Sequence, residues 1–110
     1  KFNQQDPLFD EESPRYLRRA LEVLEHLVRK GMCFEVNTGA ITRGYRAAPY
    51  PAKTILRRLR ELGGELILNS DAHHVSHLLG SFQEAEELVK ETGFTHVNIW
   101  TRDGFHAVGL

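Results

Sequence analysis

Two apolar runs too short to be helices, Met32-Cys33-Phe34-Glu35-Val36 and Glu65-Leu66-Ile67-Leu68, each follow a glycine that ends a helix-patterned segment. Short apolar runs with such boundaries read as buried strands. Ahead of the first, Leu17, Ala20, Leu21, Leu24, Leu27 and Val28 recur at helical spacing from Ser13 to Lys30. Ser13 offers a capping hydroxyl, Pro14 suits the first helical position and Gly31 suits the stop. Ahead of the second, Pro51 opens a helix with Ile55, Leu56, Leu59 and Leu62 inward, while Lys53, Arg57, Arg58 and Arg60 form a solvated face. A third helix, with Ser81 and Glu84 as a capping box and Ala85, Leu88 and Val89 inward, ends at Gly93. Thr95–Thr101 and Phe105–Leu110 flank Arg102-Asp103-Gly104, a hairpin signal. This alternation predicts a parallel sheet with covering helices. Three or four strands cannot close a barrel, and the order reads as the last third of one.

With 110 residues and 41% apolar content, the chain holds at most one small domain with a modest core. The net charge of -1, with both signs interspersed, gives no electrostatic footprint for nucleic acid or an anionic membrane. Cys33, the single cysteine, excludes an intrachain disulfide and reads as a small core residue rather than a nucleophile. No signal peptide or membrane-spanning run is visible, which predicts a cytoplasmic protein. The opening Lys1-Phe2-Asn3-Gln4-Gln5-Asp6 lacks an initiator Met and reads as the interior of a longer protein.

The chemistry concentrates where the second strand ends, in Asn69-Ser70-Asp71-Ala72-His73-His74. Ligands and catalytic groups collect at the carboxyl ends of strands in α/β folds. If the backbone stays extended, Asp71 and His73 point to one side, and a carboxylate beside an imidazole suits divalent zinc, manganese or iron. The competing reading is a helix-capping Asp beside a surface His. Asn37 to Tyr50, aperiodic and containing Gly and Arg, is long for a connection in so small a chain, which marks it as functional or disordered.

Four segments in order carry a resemblance: Phe34-Glu35-Val36-Asn37-Thr38-Gly39, Arg43-Gly44-Tyr45-Arg46, Pro49-Tyr50-Pro51 and Leu68-Asn69-Ser70-Asp71-Ala72-His73-His74. Together the chain resembles the polymerase-and-histidinol-phosphatase (PHP) superfamily, and within it the histidinol-phosphate phosphatases. The resemblance implies a distorted (β/α)7 barrel, TIM-like, of which residues 1–110 are the C-terminal portion of a single domain. It implies a cluster of divalent metals at the strand ends, with Asp71 and His73 as catalytic metal ligands. It also implies hydrolysis of a small phosphorylated substrate, histidinol phosphate in histidine biosynthesis. The His-x-His motif and further ligands of such enzymes would lie upstream of Lys1, so the metal cluster is incomplete in this chain and the piece alone is expected to be inactive.

Arg43 and Arg46 are candidates for the substrate phosphate, because guanidinium matches phosphate oxygens in bidentate geometry. Glu35 and Asn37, and with them His74, are candidates to support the site by orienting its groups. His77 belongs with His74; His26, His96 and His106 read as surface residues. An alternative reading is a noncatalytic binding or assembly module, such as the PHP domain attached to bacterial DNA polymerases. A cut barrel also leaves a strand edge and a sheet face uncovered, which predicts self-association, most of all along Met32–Val36.

Overall fold

The computed structural model describes residues 2–110. Three helix-then-strand units lie in one sheet of order β1-β2-β3-β4. These are α1 (Pro14–Arg29) with β1 (Cys33–Asn37), α3 (Lys53–Glu61) with β2 (Glu65–Asn69), and α4 (Phe82–Glu91) with β3 (His96–Thr101). A four-residue helix, α2 (Gly39–Thr42), follows β1, and β4 (Gly104–Gly109) closes the chain. The β1–β2 and β2–β3 pairs are parallel, with Glu35 opposite Ile67, Asn37 opposite Asn69 and Ile67 opposite Asn98. β4 runs antiparallel to β3 as the expected hairpin, with Thr101 opposite Gly104. The molecule is an α/β fold with a mostly parallel sheet.

The three longer helices, α1, α3 and α4, bury the stripes their spacing dictates. Leu24, Leu56, Leu59, Ala85 and Val89 meet Val36 and Leu66 in one cluster, and Leu56, Leu59 and Val36 are wholly buried. Burying a side chain of this size contributes roughly 1.5–3 kcal/mol. Strand residues alternate between the two faces. The helices therefore cover the face of Phe34, Val36, Leu66 and Leu68, and leave the face of Glu35, Asn37, Glu65, Ile67, Asn69 and Asn98 without a helical layer.

Local readings need four corrections. The strand begins at Cys33, not Met32, because Met32 N still donates to Leu27 O at the end of α1. α3 starts at Lys53 rather than Pro51, since Ala52 keeps an extended backbone at ψ 154°. Ser81 is no capping box: at φ 55° it is left-handed, and its side chain caps nothing. The stretch after Asn37 is neither irregular throughout nor disordered, because α2 lies within it. The Ser13 cap does form, its Oγ accepting from Tyr16 N. Among the described residues no helix is long and apolar enough to cross a membrane.

Candidate functional site

The site is assembled from β1 inward. Glu35 emerges on the open face and its two carboxylate oxygens accept from Asn37 Nδ2 and Asn69 Nδ2, each at 2.7 Å. One carboxylate thus ties the ends of two neighbouring strands. Asn37, 5% exposed, turns its Oδ1 onto the N–H of Gly39 at 2.9 Å and so fixes the first turn of α2. Thr38 N donates to Asn69 O. Gly39 is where bulk is forbidden: a Cβ there would lie 2.6 Å from Arg43 Nη2 and 2.7 Å from Ser70 O. The bare glycine lets the arginine at the end of α2 fold back over the helix start and reach the end of β2.

There Arg43 closes on Asp71. Its Nη2 donates to Asp71 Oδ2 and its Nη1 to Asp71 O, both at 2.8 Å. The Arg43 side chain is only 14% exposed, against 40% for Asp71, so the pair is partly shielded from solvent. His73 joins the same carbonyl, its Nδ1 2.7 Å from Asp71 O. A carbonyl only accepts, so Nδ1 carries the proton there, and in the uncharged tautomer the lone pair lies on Nε2. Nη1 and Nδ1, 3.4 Å apart, are then two donors sharing one acceptor.

Asp71 and His73 come together, but not by strand alternation. β2 ends at Asn69 and Asp71 is left-handed at φ 49°, so the extended-backbone premise fails at this position. The grouping depends on the Asp71 carbonyl and on Arg43. α2 also holds the far end of the same loop: Thr38 Oγ1 donates to Gly80 O at 2.6 Å, and Gly80 packs against Thr42 with no room for a Cβ. The loop carrying Asp71, His73 and His74 is therefore fastened at both ends by one short helix.

The other candidates lie elsewhere. Arg46 forms a two-pronged ion pair with Glu11, at 2.9 and 2.8 Å. The Arg46 hydrogen bonds hold the Glu11 carboxyl down to about 2, and Glu11 in turn raises the Arg46 value. His74 caps the single turn Val75–His77, accepting from Ser76 N. His96 sits 3.2 Å from Glu65 Oε2 at the opposite end of the strands, and a hydrogen bond from Asn98 lowers the Glu65 carboxyl. Cys33 is half-buried, and burial, with the Glu65 charge behind it, pushes its thiol up, against nucleophilic use.

For a metal, the chain offers the Asp71 carboxylate and His73 Nε2, a hard oxygen and a borderline nitrogen that suit zinc, manganese or iron. A cation, the Arg43 guanidinium, already stands on this carboxylate, which marks the locus as one that takes positive charge. Among the described residues no three His, Cys, Asp or Glu side chains group closely enough to hold a metal by themselves.

No family model matches the chain. It is similar to proteins named probable phosphatase. One, from Yersinia enterocolitica, is 25% identical over 87 residues, 79% of this chain and 35% of that protein. Another, from Shewanella loihica, is 30% identical over 82 residues, 74% of this chain and 33% of its own length. A probable histidinol-phosphatase of Schizosaccharomyces pombe is 29% identical over 72 residues, 66% of this chain and 23% of that protein. The chain thus spans about a third of the length of the first of these relatives, and its likeness at this level is to phosphatases.

Proposed function

We propose that this chain is the C-terminal part of a metal-dependent phosphomonoester hydrolase, contributing Asp71 and His73 to the metal site and Arg43 to the substrate phosphate. The observation that carries the reading is the convergence of Arg43, Asp71 and His73 at the carboxyl end of β2. The names of the distant relatives support the reaction class. The uncovered polar sheet face supports a barrel wall whose inner side is lined by Glu35, Asn37 and Asn69.

A bound divalent metal would supply a hydroxide near neutral pH and offset charge on the phosphoryl oxygens. The residues of the chain do the rest. Asp71 and His73 Nε2 would hold the ion, and the Asp71 carbonyl fixes the His73 ring by accepting from Nδ1. Arg43 binds a phosphate oxygen pair through its planar fork. Glu35 and Asn37 hold the turn from which Arg43 departs. Histidinol phosphate is the favoured substrate, from the Schizosaccharomyces pombe relative's name and the motif order.

The test joins this chain to the preceding residues of its own reading frame and assays histidinol phosphate and p-nitrophenyl phosphate with manganese or zinc. The expected result is metal-dependent hydrolysis that Asp71→Asn and His73→Ala each reduce by about 100-fold, the scale on which metal-site groups act. Hydrolysis indifferent to both substitutions overturns the assignment. Metal binding without hydrolysis favours the noncatalytic module.

A further inference from the structure

Most of the open sheet face is polar, but its β3–β4 side carries two large exposed rings. Trp100 is 66% exposed and Phe105 51%, and the rings meet edge to face with centroids 4.7 Å apart. Strand alternation puts both on the face of Glu35, Asn37 and Asn69. Asn37 is opposite Asn69, and Ile67 is opposite Asn98, so two residues further along these parallel strands Asn69 stands beside Trp100. Trp100 in turn is opposite Phe105. Asn37, Asn69, Trp100 and Phe105 thus form one row across the sheet at the carboxyl ends of β1, β2 and β3. Neighbouring strands lie about 4.8 Å apart, so the rings stand one and two strands from Asn69, the last strand residue before Asp71.

The same face is acidic. Among its described strand residues, Glu35 and Glu65 carry negative charge, no Lys or Arg occurs, and His96 lies against Glu65. Aromatic faces are themselves electron-rich, and indole is the best of them at holding a cation. An indole beside carboxylates therefore selects a flat cation over a neutral ring. An apolar protein segment laid over this row would also cover the Glu35 carboxylate, which is costly without a cation to meet it.

Resting on the phosphatase reading above, we infer that Trp100 and Phe105 form the subsite for the alcohol part of the substrate, and that this subsite takes a planar cationic ring. The phosphate lies at Arg43, past the end of β2, and the ring lies on the indole one strand over. A phosphomonoester whose phosphate and ring are joined by a short aliphatic arm reaches both. The imidazolium of histidinol phosphate is of this class. An ester without such a ring is held at its phosphate end alone.

Trp100 is the single tryptophan of the chain, so its emission reports this subsite directly. The test titrates the 110-residue chain with histidinol phosphate, phenyl phosphate and glycerol phosphate, following Trp100 emission. Calorimetry supplies the affinities where the tryptophan is replaced. Histidinol phosphate should shift the emission saturably and bind about 2- to 5-fold more tightly than the other two, the gain of a cation on an exposed indole. Trp100→Leu should remove that preference, and Phe105→Leu, which keeps the reporter, should weaken it. Histidinol without its phosphate should still shift the emission, at higher concentration. Unmoved Trp100 emission, equal affinities for the three esters, or a preference that survives Trp100→Leu overturns the subsite. A preference lost in Trp100→Leu, with binding indifferent to Arg43→Gln, overturns the phosphate role of Arg43 and leaves the ring subsite standing.

Discussion

Arg43 grips Asp71 twice, once at the carboxylate and once at the carbonyl, and through the carbonyl it shares an acceptor with His73. One arginine 28 residues upstream thereby sets the conformation of the loop that carries the metal-type donors. Asp71 is 40% exposed, so solvent screens the pair and its net contribution to stability is small, about 1 kcal/mol or less. Its consequence is geometric.

That geometry depends on the missing side chain of Gly39. Gly39→Ala brings a methyl group to within 2.7 Å of a backbone oxygen that cannot rotate away and 2.6 Å of the Arg43 guanidinium. We expect a loss of about 1–3 kcal/mol, the usual cost of forcing extra volume into a packed position. The Arg43 side-chain resonance should take on the solvent exchange of an unpaired arginine. A variant with unchanged melting and unchanged Arg43 protection would show that the close approach does not position the arginine.

Acid should loosen the N-terminal segment before the core. The Glu11 carboxyl is lowered to about 2 by the hydrogen bonds from Arg46. A depressed carboxylate contributes stability that is fully present above its unfolded value of 4.5 and is lost as pH falls from there toward 2. Hydrogen exchange at Leu8 and Phe9, whose N–H groups donate to Asn3 beside Glu11, should quicken across that window relative to the acid baseline. Glu11→Gln should abolish this pH dependence and cost about 1.5–3 kcal/mol, the range for hydrogen bonds to charged groups. Retention of the transition in Glu11→Gln would assign it to another carboxyl.

The alternation of helix and strand was legible because α1, α3 and α4 each bury a regular stripe and β1, β2 and β3 each follow a glycine stop. Leu24, Leu56, Leu59, Ala85 and Val89 all stand where spacing placed them. The site was legible as a set of residue types but not as geometry. Asp71 leaves the extended backbone at φ 49°, a conformation that no periodicity announces. The Arg46–Glu11 pair spans 35 residues, and such pairs leave no trace in local pattern. α2 is too short for a helical stripe, although Gly39 already stood inside the Asn37-Thr38-Gly39 segment that carries the resemblance. Ser81 matched a capping box in letters, but its backbone is left-handed rather than extended and its side chain makes no cap hydrogen bond.

β1 is an edge strand, and among the described residues only its end is engaged on the outer side, where Asn37 and Tyr50 exchange backbone hydrogen bonds. Residues 33–36 therefore present a pairing edge beside the open sheet face. We expect concentration-dependent self-association by light scattering, weakened by Cys33→Lys, which puts a charge at the edge on the side of the uncovered face. A monomer at high micromolar concentration would mean that the edge and face are protected without a partner.

The most direct measurement of the central claim is anomalous diffraction at the zinc edge from crystals of the chain grown with zinc. The account predicts a peak at about 2.0–2.2 Å from an Asp71 carboxylate oxygen and from His73 Nε2, the ordinary zinc–oxygen and zinc–nitrogen distances. Zinc bound only elsewhere would contradict it.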